Sequence, residues 1–329
     1  MTNLNTVQLR ECKNQAVVIG MLKDKEVKYD KTKDGTNTDT ISIKLTIVTN
    51  ETLANGKNRL HENQIRLWAK KTSKLFSSYQ TIANEYKTMK DWGEKADIIE
   101  VRGSFELNEY AKDGELRQFN NIRGVFVNRI ENKEVIQEVG ALVECVITGI
   151  SDEMKDGKMT GRKKVNLMSV GYNSRIHEYQ DVYVESELAN DFANMFKVGS
   201  CAELALKINN YSVEVESEQP KQAFGFGTGL NTQFSTIKNY FNEVIIIGGS
   251  APYSATNCPE KVVTPEQLNE MKNLREKAKA EQLASAPKTP PITSQSGFGN
   301  GFNTNLNETP SNNNDNNGND GFNYDDMPF

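Results

Sequence analysis

Two histidines, His61 and His177, are the whole imidazole supply of this 329-residue chain. Its four cysteines, Cys12, Cys145, Cys201 and Cys258, stand far apart with no C-x-x-C pair. Structural zinc needs clustered Cys and His, so no metal site is expected, and reduced thiols in a cytosolic protein are expected instead of a disulfide scaffold. There is no G-x-S-x-G and no nucleophile–base constellation, so no enzyme and no cofactor are expected. Glu100 and Glu106 are the weakly motivated carboxylates of an alternative, a metal-dependent nuclease. Apolar runs are short: Val244-Ile245-Ile246-Ile247 suits one buried strand and falls far below the roughly 18 residues of a membrane helix. The N-terminus lacks a basic stretch followed by an apolar one, so no secretory signal and no membrane partner are expected. An excess of positive charge is missing too. With 39 Lys+Arg against 44 Asp+Glu the net charge is −5, which argues against a uniformly basic nucleic-acid coat.

The charge is unevenly placed. Residues 1–132 carry a net +4, residues 133–250 a net −5, residues 251–284 are balanced, and residues 285–329 carry a net −4. That last stretch holds 11 Asn, 5 Gly and 5 Pro in 45 residues, too few apolar groups to offset its ordering entropy, so a disordered tail is expected there. Ahead of it, Thr264-Pro265-Glu266-Gln267 has the form of a capping box. Leu268, Met271, Leu274 and Ala278 follow at helical spacing, predicting a helix over 265–284 with no function evident.

Residues 15–132 alternate between strands and one helix. Val17-Val18-Ile19-Gly20-Met21-Leu22 opens a strand, Asp34-Gly35 marks a turn, and Ile41, Ile43, Leu45 and Ile47 alternate with polar residues. A polar loop is expected over 50–63, a third strand over 64–70, a helix over 73–92, and a hairpin over 98–110 and 116–130 across Asp113-Gly114. Three strands, a helix and two strands is the order of the OB-fold, a five-stranded Greek-key barrel. The outline recurs over 138–250, with strands at 142–151, 165–172, 182–185, 202–215 and 240–247 and a helix at 187–196. The expectation is a mainly β protein: an OB domain over 1–132, a second OB-like domain over 133–250, a linker and helix over 251–284, and the tail over 285–329.

Period-two alternation puts Ile65 and Leu67 inside the first barrel and Arg66, Trp68 and Lys70 outside. An indole offers a plane for a base to stack on, and adjacent cations neutralise phosphates. Lys44 on the second strand faces the same way, as do Arg102 and Tyr110 on the fourth and Arg117, Phe119, Asn121 and Arg123 on the fifth. Phe105 is expected in the core. Lys28 and Lys31, with Lys23 and Lys33, add positive charge near the first hairpin. Aromatics, cations and small polar groups on one exposed sheet face suit single-stranded DNA bound without sequence readout. In the second domain, Arg162, Lys163, Lys164, Tyr172, Arg175, Tyr179 and Tyr183 either extend that path or belong to a dimerisation or protein-docking module. Phe224-Gly225-Phe226-Gly227-Thr228-Gly229 lacks the Lys-Ser/Thr pair of a phosphate loop, and a mobile loop is expected.

The first domain resembles the bacterial and phage single-stranded DNA-binding proteins (SSB). The resemblance rests on Val17-Val18-Ile19-Gly20-Met21-Leu22, on Ile65-Arg66-Leu67-Trp68-Ala69-Lys70 followed by Phe76, Tyr79 and Tyr86, and on Val101-Arg102-Gly103-Ser104-Phe105-Glu106 with Tyr110. The C-terminus, Asp325-Asp326-Met327-Pro328-Phe329, is similar to the acidic tip of that family. The resemblance implies a chain that coats single strands during replication, recombination or repair. It implies a tip that docks its terminal Phe into replication and repair partners. Glu62 and Asn63 stand where the family usually has a Trp. The additional residues 133–284 keep the family's tetramer from being carried over, leaving a homodimer or a monomer. An OB protein-assembly module with weak nucleic-acid binding is the other alternative.

Overall fold

The computed structural model describes residues 7–33, 35–53, 55–112, 115–132, 134–218 and 234–284. Ten strands carry the architecture: β1 (Asn14–Lys31), β2 (Asp39–Thr52), β3 (Asn58–Lys70), β4 (Ile98–Lys112), β5 (Glu115–Ile130), β6 (Glu138–Lys155), β7 (Lys158–Val170), β8 (Ile176–Val184), β9 (Cys201–Glu218) and β10 (Phe234–Gly249). Helices α1 (Leu75–Glu85) and α2 (Met89–Trp92) separate β3 from β4, α3 (Ser186–Met195) separates β8 from β9, and α4 (Pro265–Ala284) follows β10.

β1 pairs antiparallel with β2 and β4, β2 with β3 and β4 with β5, and the ring closes where β5 runs parallel to β3. The later strands repeat the pattern, with β8 and β10 as the parallel closing pair. Both rings have the Greek-key order of the OB-fold, with a helix before the fourth strand. The protein is therefore mainly β, two OB barrels in tandem. They are welded into one ten-stranded sheet. β1 and β6, the first strand of each barrel, pair antiparallel with Ala16 opposite Ala141, so the barrels meet in a pseudo-two-fold arrangement. A single bridge, His61 to Tyr211, links β3 to β9.

The alternation read from β2 holds: Ile41, Ile43, Leu45 and Ile47 are buried, as are Ile65 and Leu67 on β3. Phe105 is core, but a core between barrels. Its ring stacks on Tyr179 of β8 with centroids 5.0 Å apart, and its carbonyl accepts from the Tyr179 hydroxyl at 2.8 Å.

Several expected boundaries move. The loop expected over 50–63 is mostly strand, since β2 and β3 run on as a ribbon to Thr52↔Asn58. That ribbon alternates without an apolar side: Leu60 and Glu62 are exposed, and His61 and Asn63 are buried. The helix expected over 73–92 breaks after Glu85: Lys25 Nζ donates to the carbonyls of Ile82, Ala83 and Tyr86, and Thr88 starts α2 by capping Asp91. A cation on terminal carbonyls satisfies the groups that would otherwise extend the helix. β6, β7, β9 and β10 begin earlier or end later than their apolar stretches, because β6–β7 and β9–β10 also extend as polar ribbons, and β8 starts at Ile176 where a strand from 182 was expected. Asp156-Gly157, both at positive φ (51° and 75°), makes the tight turn between β6 and β7.

The α4 helix starts on the expected capping box, with the Gln267 N–H donating to Thr264 Oγ1 at 3.2 Å and the Thr264 N–H to Gln267 Oε1 at 2.9 Å. Met271 is buried against Val146, Met168, Val170, Ile176 and Cys201 of the second barrel. Arg275, also buried, bonds Glu109 of β4 and Glu178 of β8, so α4 straps one barrel to the other. All four cysteines are free thiols. Among the described residues no helix is long and apolar enough to cross a membrane.

Candidate nucleic-acid interface

The outward side of the first barrel is organised in cross-strand rows. One runs Glu26↔Lys44↔Arg66↔Arg123↔Ser104 across β1, β2, β3, β5 and β4. The next runs Lys28↔Ser42↔Trp68. Neighbouring strands lie about 4.8 Å apart, so three cations stand side by side within about 10 Å. The outer two are compensated at the edges: Lys44 Nζ lies 2.8 Å from Glu26, and Arg123 lies 3.7 Å from Glu106. Exposed Arg66 has no ion pair among the described residues and sits between two like charges. A phosphate placed there would relieve the repulsion. Half-buried Trp68 is one row along, opposite Ser42. Lys70 is half-buried opposite Thr40, and Lys28 and Lys31 are exposed at the far end of β1.

The β4–β5 side adds aromatics. Tyr110 and Phe119 are both exposed and meet edge-to-face, with centroids 6.1 Å apart. Arg102 is exposed and pairs with Glu100 at 2.9 Å. Opposite Arg102 stands Phe126, 52% exposed. Strict alternation from Phe119 turns Phe126 inward. The structure turns it outward because β5 bulges at Val125, between Gly124 opposite Gly103 and Phe126 opposite Arg102. Tyr79 of α1 donates its hydroxyl to the bulge carbonyl of Val125 at 2.9 Å. A Cβ on Gly103 would lie 1.7 Å from the Arg123 carbonyl oxygen, so only glycine fits beside the bulge. The glycine pair 103 and 124 was the available signal for this extra aromatic.

Glu100 and Glu106 are six residues apart on β4, about 20 Å along the strand, and each faces an arginine rather than the other. Among the described residues no group of three or more His, Cys, Asp or Glu is placed to hold a metal ion.

The second barrel's corresponding face is different. Its equivalent row is Lys164↔Tyr183↔Ile245, with one cation where the first barrel has three. Lys164 is bound to Asp181 at 2.8 Å and Lys163 to Asp152. Arg162 lies over the Tyr183 ring and within 4 Å of Glu153, Glu185 and Glu243. Tyr179 is fully buried and its hydroxyl pKa is driven up by burial, so its expected place on a ligand face is corrected: it is core between the barrels. Tyr172 and Arg175 sit at the β7–β8 turn, away from this row. The tip Asp325, Asp326, Met327, Pro328 and Phe329, and the glycine loop at 224–229, lie outside the described residues.

A family model described as YorF matches residues 13–285. No curated protein matches the chain. Among solved structures, the chain is similar to the wild-type single-stranded DNA binding protein from Thermus aquaticus, at 16% identity and a TM-score of 0.46, over 74% of this chain and 95% of that one. The small single-stranded DNA-binding protein of Streptomyces coelicolor matches at 13% identity and a TM-score of 0.26, over 36% and 94%. The Plasmodium falciparum SSB in complex with ssDNA matches at 12% identity and a TM-score of 0.28, over 38% and 100%.

Proposed function

The chain belongs to the YorF family, and we propose that it is a non-enzymatic binder of single-stranded DNA that works through the outer face of its first barrel. The row Lys44, Arg66 and Arg123 beside Trp68 carries the reading. Three adjacent cations provide phosphate neutralisation, and Trp68, with Phe126, Tyr110 and Phe119 further across the face, provides planes for bases. Cations and aromatic planes together suit binding without sequence preference. Exposed single strands arise in replication, recombination and repair, and protecting them is the role proposed here. Asp325-Asp326-Met327-Pro328-Phe329 would recruit partner proteins from the end of its tether.

The test is titration of oligo(dT) into wild type and Trp68→Ala, with circular dichroism to confirm the fold. Base–aromatic stacking is worth about 1–3 kcal/mol per base, so the variant should lose roughly tenfold or more in affinity. Unchanged affinity in a folded Trp68→Ala removes the assignment. Absence of binding by wild type at low salt favours the assembly-module reading instead. Incubating labelled oligo(dT) with magnesium tests the non-enzymatic part, and cleavage contradicts it.

A further inference from the structure

We propose that the DNA path leaves the first barrel along the outer side of β3 and continues onto the β9–β10 ribbon of the second barrel, with Tyr240 as its stacking platform. This inference rests on the reading above and extends it to a second contact.

Register carries it. His61 of β3 pairs with Tyr211 of β9, which sets Leu60 beside Ser212, and Ser212 pairs with Tyr240 of β10. Successive side chains alternate, so Leu60, Ser212 and Tyr240 lie on the same side of the sheet as Glu62, Gln64, Arg66 and Trp68. The outer face of the first barrel thus runs onto the ribbon without an edge between them. Along it, Leu60 is 62% and Tyr240 80% exposed, the latter a large aromatic that nothing in the described chain covers. Leu60 is about 27 Å from Trp68 along β3 at the rise of an extended strand. Cations accompany the row: Lys238 of the same ribbon face, paired with Glu214 at 3.1 Å, also feels Glu62 of β3, and Lys23 bonds Glu62 from β1.

The opposite side of the ribbon explains why the platform holds its position. Tyr211 is stacked on Phe241 with centroids 5.0 Å apart, Arg59 lies 4.1 Å over the Tyr211 ring, and His61 meets its edge at 5.5 Å. His61 accepts from the Asn210 N–H at Nδ1 and bonds Glu51 through Nε2, while Lys207 of β9 bonds the same carboxylate. The ribbon is fastened to the first barrel through its inner side, leaving Tyr240 outward. The second barrel's own β7–β8 face is the poorer platform, because Arg162 already lies 4.2 Å over the Tyr183 ring.

The experiment compares Tyr240→Ala and Tyr183→Ala with wild type, using oligo(dT) of about 8 and about 30 nucleotides, chosen around the roughly 4–16 covered by one OB barrel. Tyr240→Ala should weaken the longer oligomer about fivefold or more and leave the shorter one unchanged, and Tyr183→Ala should change neither. Equal affinity of Tyr240→Ala and wild type for the longer oligomer overturns the path. So does a greater loss in Tyr183→Ala, or an equal loss for both lengths in Tyr240→Ala. Failure of wild type to bind either oligomer is a failure of the functional reading itself and is distinguished by that control.

Discussion

At the scale of single residues, what matters is which side chains the barrel sends outward. Trp68 and Arg66 were legible from alternation alone, since Ile65 and Leu67 are buried on the other side of the same strand. Phe126 was not, because a one-residue bulge reverses parity and period-two reading has no means of placing it. Phe126→Ala should therefore weaken oligo(dT) binding severalfold without unfolding, read by the same titration; a change in melting temperature with unchanged affinity would return Phe126 to a packing role. His177 makes a different prediction. Burial holds its imidazole down to about 4, from 6.5, between Glu106, Glu109, Arg175 and Arg275. The unfolded chain binds a proton below pH 6.5 and the folded chain does not until about pH 4, so stability is fully present above pH 6.5 and falls as pH drops to 4. The loss amounts to roughly 3 kcal/mol. Urea unfolding across that range should show the slope, reduced in His177→Phe. A remainder from His61, whose pKa burial also lowers, should persist. An identical slope in His177→Phe would show that the group is not buried neutral.

At the scale of elements, α4 shows what composition conceals. Its sequence predicts a helix with a thin apolar stripe and no evident role, because the ionic part of its docking leaves no apolar pattern. The work is done by Met271 in a small apolar cluster and by Arg275 between Glu109 and Glu178, with Lys279 bonding Glu178 at 2.7 Å. Burial alone would raise both carboxyls, yet the hydrogen bonds from Arg275 and Lys279 hold them below the usual range. Arg275→Met leaves the Glu109 carboxylate, 7% exposed, without its ion pair and Glu178 with Lys279 alone, and should cost about 3–5 kcal/mol, measured by thermal or urea unfolding. A loss under about 1 kcal/mol would mean that α4 lies loosely on the barrels. The β2–β3 ribbon makes the same point for strands: its polar residues read as loop, yet it pairs regularly as far as Thr52↔Asn58. Its buried side is polar, His61 and Asn63, so the alternation of burial has no counterpart in an alternation of hydrophobicity.

At the scale of the whole molecule, the tandem OB order was legible because each barrel repeats three strands, a helix and two strands. Their fusion into one sheet was not, since β1–β6 pairing depends on edges that no pattern within a strand announces. On the proposed reading the binding cations are concentrated on one face of the first barrel, and DNA would respond to that local field rather than to the total of −5. Affinity for poly(dT) should accordingly fall with salt, with a log–log slope of about −3 if four or five phosphates are neutralised. A flat dependence would place binding on stacking alone. Removing residues 325–329 should abolish partner capture and leave oligo(dT) affinity the same or stronger, and weaker DNA binding after that deletion would contradict a recruiting tip.

The most direct measurement is ultraviolet crosslinking of full-length protein to oligo(dT), with the attached peptides identified by mass spectrometry. Crosslinks are expected at Trp68, Phe126 and the Tyr110–Phe119 pair of the first barrel's outer face. Crosslinks confined to β7 and β8 of the second barrel, around Tyr183, would contradict the proposed interface.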